Sequence, residues 1–186
     1  MSEFRTQRYA ALLILAGTLC APVEASEIES VRKIDLDAIV DSGGLGADVD
    51  VATSGVPSNA AIEALHESGF TTVVDLRGEK EKQGTDPETA VEALGMSYVA
   101  LPVTSKDDLS FETAKTLDAI IAEAKGPVLV HCGSGNRAGA LLALRASANG
   151  ATDEAALEVG RKAGLTRLEG VVSEKLTADK GAEMPD

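Results

Sequence analysis

The sequence predicts a single α/β domain in which a mostly parallel central sheet is flanked by helices. Three observations carry that prediction. Short runs rich in β-branched and apolar residues, at 49–56, 70–76, 96–101 and 128–131, alternate with helix-like stretches, and such alternation folds into a parallel sheet with helices on both faces. The helical stretches carry their own start and stop residues, with Ser58, Ser110 and Thr152 before them and Gly69, Gly95, Gly150 and Gly164 after them. The chain has 186 residues, 44% of them hydrophobic, which supports one core and leaves no room for a second domain.

The chain opens with Arg5 and Arg8, followed by the apolar run Tyr9 to Cys20. This run is too short to span a bilayer comfortably, and Val23-Glu24-Ala25 offers the small residues that a signal peptidase reads. Residues 1–25 are therefore expected to be a secretory signal peptide, with a retained membrane anchor as the main competitor and a lipoprotein through Cys20 as a minor one. The expected location is the periplasm, with no stable membrane insertion after cleavage. Cleavage would leave Cys132 as the only cysteine. An internal disulfide is then impossible, so a single thiol in an oxidising compartment is a liability unless it is used.

Residues 26–49 mix Ile28, Val31, Ile34, Leu36 and Ile39 with many charges and break at Gly43-Gly44-Leu45-Gly46. They are expected to form a lead-in to a domain spanning 50–170. Within it, Val49 to Val56 is β-prone, and Ser58 caps a helix that Gly69 stops. Phe70 to Leu76 is a buried strand that runs into the charged loop 77–84. Asp86-Pro87-Glu88 opens the next helix, and Met96 to Leu101 is the third strand. Pro102 to Asp108 is a loop. Ser110 starts a helix with Phe111, Leu117, Ile120 and Ile121 on its core side. Residues 171–186 are acidic and contain glycine, and are expected to be a mobile tail.

The stretch on which the chemistry turns is Val128-Leu129-Val130-His131-Cys132-Gly133-Ser134-Gly135-Asn136-Arg137. It reads as strand, tight loop and helix, since the run Ala138 to Leu144 that follows is helix-prone. Loop N–H groups and the positive end of a helix then converge near Cys132, an arrangement that binds anions and lowers a thiol's pKa. A packing cysteine would not need Gly133 and Gly135 beside it or an arginine closing the loop. In a parallel sheet, ligands bind beyond the carboxyl ends of the strands. Arg77 and the Asp107–Asp108 pair follow such ends and are expected to face Cys132.

Formal net charge is −13, which argues against a nucleic-acid partner and requires any anionic substrate to be held by local cations. His66 and His131 are the only histidines, so no metal site is expected, and no nucleotide fingerprint is present. No cofactor is expected. His66 lies among charges and is read as a solvated surface residue.

His131-Cys132, a glycine-bearing loop and Arg137 together resemble the phosphate-binding signature of tyrosine and dual-specificity phosphatases. With Gly55-Val56-Pro57-Ser58, the strand ending Leu76-Arg77, and Leu101-Pro102-Val103, residues 50–165 look like the phosphatase-like domain of β-lactamase-hydrolase-like proteins, some members of which are named sulfur transferases. The resemblance implies a cysteine-phosphatase fold and a phosphocysteine intermediate on Cys132. It implies that Arg137 grips the oxyanion with Gly133, Ser134, Gly135 and Asn136, with His131 and Arg77 as further substrate-binding candidates, and that a general acid stands at Asp107 or Asp108. Equally, these two aspartates suit the solvated lead-in to a helix.

Two departures stand against it. Four residues separate Cys132 from Arg137 where the signature has five, and Ala138 replaces a hydroxyl that assists the thiolate as leaving group. A loop of this size also resembles that of rhodanese sulfurtransferases. A persulfide carrier on Cys132 and an inactive anion-binding module are therefore the alternatives. The expected partner is a phosphorylated or sulfur-oxyanion substrate.

Overall fold

The computed structural model describes residues 31–45, 49–82 and 87–182. The expected signal segment 1–25, the expected cap at Asp86 and the last four residues of the tail lie outside them. Five strands are present, β1 (Val31–Lys33), β2 (Val51–Ser54), β3 (Thr72–Asp75), β4 (Ser97–Ala100) and β5 (Val128–His131), in the order β1-β2-β5-β3-β4. Every pairing is parallel. The helices are α1 (Leu36–Ser42), α2 (Asn59–Glu67), α3 (Pro87–Ala93), α4 (Phe111–Glu123), α5 (Asn136–Ala148), α6 (Asp153–Lys162) and α7 (Glu169–Ala182). A 3-10 turn spans Glu79–Glu81.

The caps behave as their residue types dictate. The hydroxyl oxygens of Ser58, Ser110 and Thr152 accept hydrogen bonds from the backbone N–H groups of Ala61, Thr113 and Ala155, satisfying donors that a helix start leaves open. Gly69 and Gly164 end their helices at φ of 88° and 94°, where a side chain would be strained.

Side-chain alternation divides the core into two layers. Val74, Leu76, Val128 and Val130 share one layer with buried residues of α4, α5, α6 and α7. Val73 and Leu129 share the other with Ile39, Ile62, Leu65 and Val91 from α1, α2 and α3. In α5, every residue from Ala138 to Leu144 is buried, because the helix lies between the sheet and its neighbours. Its approach to α6 depends on Gly139, where a Cβ would fall 2.8 Å from the Gly160 carbonyl oxygen and closer still to the Leu165 nitrogen.

Two stretches differ from the sequence reading. Within the 26–49 lead-in, Val31–Lys33 is an edge strand of the sheet and Leu36–Ser42 is a helix capped by Asp35. Three residues are too few to show a period, and the partner that makes them a strand, β2, lies elsewhere in the chain. The expected mobile tail is helical as far as Ala182, with Val172 and Leu176 fully buried. These two are one helical turn apart, and that spacing carries the packing despite the acidic composition around them.

Candidate active site

The strand register assembles the site. Ser54, His131 and Asp75 stand side by side across β2, β5 and β3, so the chain leaves the middle of the sheet at Cys132. The Cys132 N–H donates to the Ser54 carbonyl at 3.4 Å, and Ser134 forms an antiparallel bridge with Gly55. Gly135 turns the loop into α5 with φ of 84°, directing its N–H at the Cys132 sulfur, 3.1 Å away. A Cβ on Gly135 would lie 3.5 Å from the Ser54 oxygen and 3.4 Å from Cε of Lys33, so both its conformation and its surroundings favour glycine. Gly133 and Ser134 are exposed, whereas Cys132, Gly135 and Asn136 are buried. The sulfur thus sits at the floor of a short loop, at the positive end of a 13-residue helix.

Arg137 folds back over this loop, its Nη2 lying 3.7 Å from where a Cβ on Gly133 would stand. Nη1 donates to the Val103 carbonyl at 2.9 Å and to Glu81 Oε1 at 2.8 Å, and Nη2 donates to Glu81 Oε2 at 2.5 Å. The ion pair with Glu81 raises the Arg137 pKa; burial opposes that and the Cys132 charge adds to it. Glu81 takes one edge of the guanidinium and leaves Nε–H and the second Nη2 proton, the fork that can hold two oxygens of an anion. Glu81 also accepts from the Gly78 N–H, so the 3-10 turn fixes the carboxylate that fixes the arginine. Sequence reading missed Glu81, since nothing in the charged run Glu79-Lys80-Glu81-Lys82 singles it out.

We expect Glu81→Gln to lower kcat/KM about tenfold, because an amide cannot hold both Nη groups as acceptor. The affinity for vanadate should weaken in parallel, measured as its inhibition constant. A purely structural effect would lower thermal stability and leave vanadate binding in the surviving folded protein unchanged.

Behind the loop lies a buried polar cluster. Arg77 does not face Cys132; alternation puts it on the side of Asp75, to which its Nε donates at 3.0 Å and its Nη2 at 2.8 Å. Both side chains are essentially inaccessible. Tyr98 Oη donates to the same carboxylate at 2.8 Å. Burial alone would raise the Asp75 pKa and is the largest single influence, but the bonds from Arg77 and Tyr98 and the electrostatic influence of His131 together outweigh it, and the net shift is downward. His131 is fully buried with Nε2 3.6 Å from Asp75 Oδ1, and burial lowers its pKa to about 4. It is neutral at pH 7 and lies beneath the loop.

Asn136 faces away from the sulfur, its Oδ1 accepting from the Thr166 N–H at 2.8 Å and from the Thr166 hydroxyl at 3.1 Å. This clamps the start of α5 to the α6–α7 connection. The two aspartates of the 102–108 loop differ in their bonding. Asp108 Oδ2 accepts from the N–H groups of Thr104 and Ser105, each at 2.8 Å, and from the Thr104 hydroxyl at 2.9 Å. These bonds, those from Thr104 foremost, hold its pKa down to about 2. Asp107 is exposed. His66 is exposed on α2. Among the described residues, no group of three or more His, Cys, Asp or Glu side chains is placed to hold a metal ion, and no helix is long and apolar enough to cross a membrane.

A cysteine at a strand end whose sulfur accepts a backbone N–H of its loop, with an arginine folded over that loop at the start of the next helix, defines a cysteine-dependent phosphatase-like domain. The comparisons agree with this. Residues 23–174 match the family described as DSP-PTPase phosphatase fused to NAD+ kinase, and the chain belongs to that family. It is 30% identical over 109 residues to the β-lactamase hydrolase-like protein of Agrobacterium fabrum, a match that covers 56% of this chain and 25% of that relative. The chain thus corresponds to about a quarter of that protein's length. Among solved structures, a provisionally assigned phosphatase from Neisseria meningitidis Z2491 superposes with a TM-score of 0.61 at 24% identity, over 72% of this chain and 96% of its own. The kinase associated phosphatase, solved with its catalytic site cysteine replaced by serine, gives 0.56 at 12% identity, over 81% and 94%. These two likenesses concern the fold.

Proposed function

We propose that this domain hydrolyses a phosphate monoester through a phosphocysteine on Cys132. The observation that carries the reading is the Gly135 N–H aimed at the sulfur in the loop over which Arg137 folds, because it puts a sulfur nucleophile where backbone and guanidinium donors could grip an oxyanion. The thiolate attacks phosphorus in line, a sulfur–phosphorus bond forms, and the ester oxygen departs with a proton from a general acid. Water then cleaves the sulfur–phosphorus bond, releasing inorganic phosphate and restoring the thiolate, while the carboxylate formed in the first step takes the proton. Ala138 brings no hydroxyl to this second step, so the phosphoenzyme is expected to accumulate.

Asp107 is the better candidate for the acid. Asp108 is committed to its own loop and is ionised throughout the neutral range. Asp107→Asn should cost about a hundredfold or more in turnover of an alkyl phosphate and much less for an activated aryl phosphate, whose leaving group departs unprotonated. A general acid must be protonated to act, so the alkaline limb of the alkyl-phosphate rate profile should flatten in this variant. Equal losses on the two substrates would remove Asp107 from the mechanism.

The shortness of the loop, four residues between Cys132 and Arg137, supports a second reading. As a sulfurtransferase, Cys132 would carry a persulfide whose terminal sulfur the loop N–H groups stabilise, and no acid would be needed. Parallel assays with an aryl phosphate and with thiosulfate plus cyanide decide between the two. We also propose export to the periplasm, on the strength of the basic and apolar composition of residues 5–20 and the small residue Ala25. Fractionation of cells and N-terminal sequencing of the mature chain test this, with a chain beginning at Ser26 as the expected result.

A further inference from the structure

Beside Arg137 lies a cavity of about 440 Å³ whose lining includes Lys106 and Arg167 together with the apolar residues Val103, Leu109 and Leu168. It is lined by three cationic side chains and no carboxylate, in a chain whose net charge is −13. Arg137 is held by Glu81, whereas Lys106 and Arg167 are exposed and neither makes an ion pair among the described residues. The acids close by in the chain are outside the lining: Asp108 binds Thr104 and Ser105 within its own loop, Glu169 pairs with Arg161, and Asp107 is exposed.

Both free cations stand on segments fastened to the reactive loop. Arg167 follows Thr166, which is bonded twice to Asn136, the neighbour of Arg137. Lys106 lies within the turn that Asp108 closes on Thr104 and Ser105, and the residue before that turn, Val103, accepts from Arg137 through its carbonyl. The backbone positions from which Lys106 and Arg167 reach toward the oxyanion fork are therefore set by the fold. A cavity of this size suits a small molecule, and cations fixed at one end of it suit an anion.

We propose that the substrate is a small soluble phosphomonoester bearing a second anionic group, a phosphate or a carboxylate, which Lys106 and Arg167 hold while Arg137 grips the reacting phosphate. This rests on the assignment of Arg137 to the phosphate site. Leu168, the partly exposed apolar residue of the lining, would lie against the carbon skeleton between the two anions.

The test uses stable soluble probes, alkane-α,ω-bisphosphonates of two to six carbons, each paired with the alkyl monophosphonate of the same length. They are measured as competitive inhibitors of aryl phosphate turnover and, independently of turnover, by calorimetric binding to the full chain. One bisphosphonate length should bind about tenfold or more tightly than its monophosphonate partner, an advantage that shrinks as ionic strength rises. In the double variant Lys106→Ala, Arg167→Ala that ratio should fall close to one. The single charge reversal Arg167→Glu, at an exposed position where folding is not at stake, should also abolish it. A wild-type ratio near one at every length, or a ratio that survives both variants, overturns the proposal. So does a doubly phosphorylated peptide that competes better than every bisphosphonate. Failure of the phosphatase reading shows separately, as absent aryl phosphate turnover, and the calorimetric ratio still decides the second-anion site.

Discussion

Replacing Cys132 with serine is expected to reduce aryl phosphate turnover by at least about a thousandfold, to the level of contaminants. A serine hydroxyl in this place has no effective base to activate it: His131, next in the chain, is fully buried beneath the loop, and burial lowers its pKa to about 4, which makes it a weak base. The fold should survive. The substitution is nearly isosteric at the edge of the core, and the hydroxyl can still accept from the Gly135 N–H that now points at the sulfur. The melting temperature should stay within a few degrees of wild type, and phosphonate binding should persist, because the oxyanion is held by Arg137 and backbone. If the proposed phosphocysteine forms and breaks down slowly beside Ala138, rapid-mixing experiments with the wild-type protein should show about one equivalent of aryl alcohol released in a burst before the steady state. Substantial steady-state turnover by the serine variant would exclude the covalent cysteine mechanism.

Removing the carboxylate charge at Asp75 is expected to have the largest effect on stability. Arg77 and Asp75 are both buried essentially completely, and Asp75→Asn removes the carboxylate to which the guanidinium Nε and Nη2 donate. Breaking such a buried pair by removing one partner costs about 3–5 kcal/mol. That corresponds to a fall in melting temperature of roughly 10 °C for a domain of this size. The penalty depends on pH. The Asp75 pKa is lower in the folded protein than its ordinary value, so the unfolded chain binds more protons in the interval between the two. The stabilisation is then complete above the ordinary carboxylate range, near pH 4, and is lost as pH falls through the depressed folded value. Urea denaturation of wild type and Asp75→Asn should therefore show the full gap at pH 6 and a narrower one at pH 3. A gap of the same size at both would mean that the carboxylate charge is not what stabilises the cluster.

The alternation of β-prone runs with capped helices was enough to define the architecture, because caps, glycine stops and apolar periods act over a few residues. Cys132, Gly133, Gly135 and Arg137 were legible for the same reason: loop, strand end and helix start are contiguous, so the chemistry is compressed into one short segment. What lay beyond reach of the sequence depends on partners distant along the chain. The edge strand Val31–Lys33 exists only because β2 pairs with it, and α7 is ordered because Val172 and Leu176 find the core. Arg77, at a strand end, was expected to face Cys132, but a strand's alternation turns it to Asp75 and away from the thiol. Asp107 and Asp108 looked equivalent until the turn at Thr104 and Ser105 bound one of them. Glu81 is 56 residues from Arg137 in a run of ordinary charges, and only the folded sheet brings the two together. Local backbone chemistry determined the nucleophile and its cradle; the tertiary structure decided which charges meet, since charge pairing is set by distance in space and leaves no period in the chain.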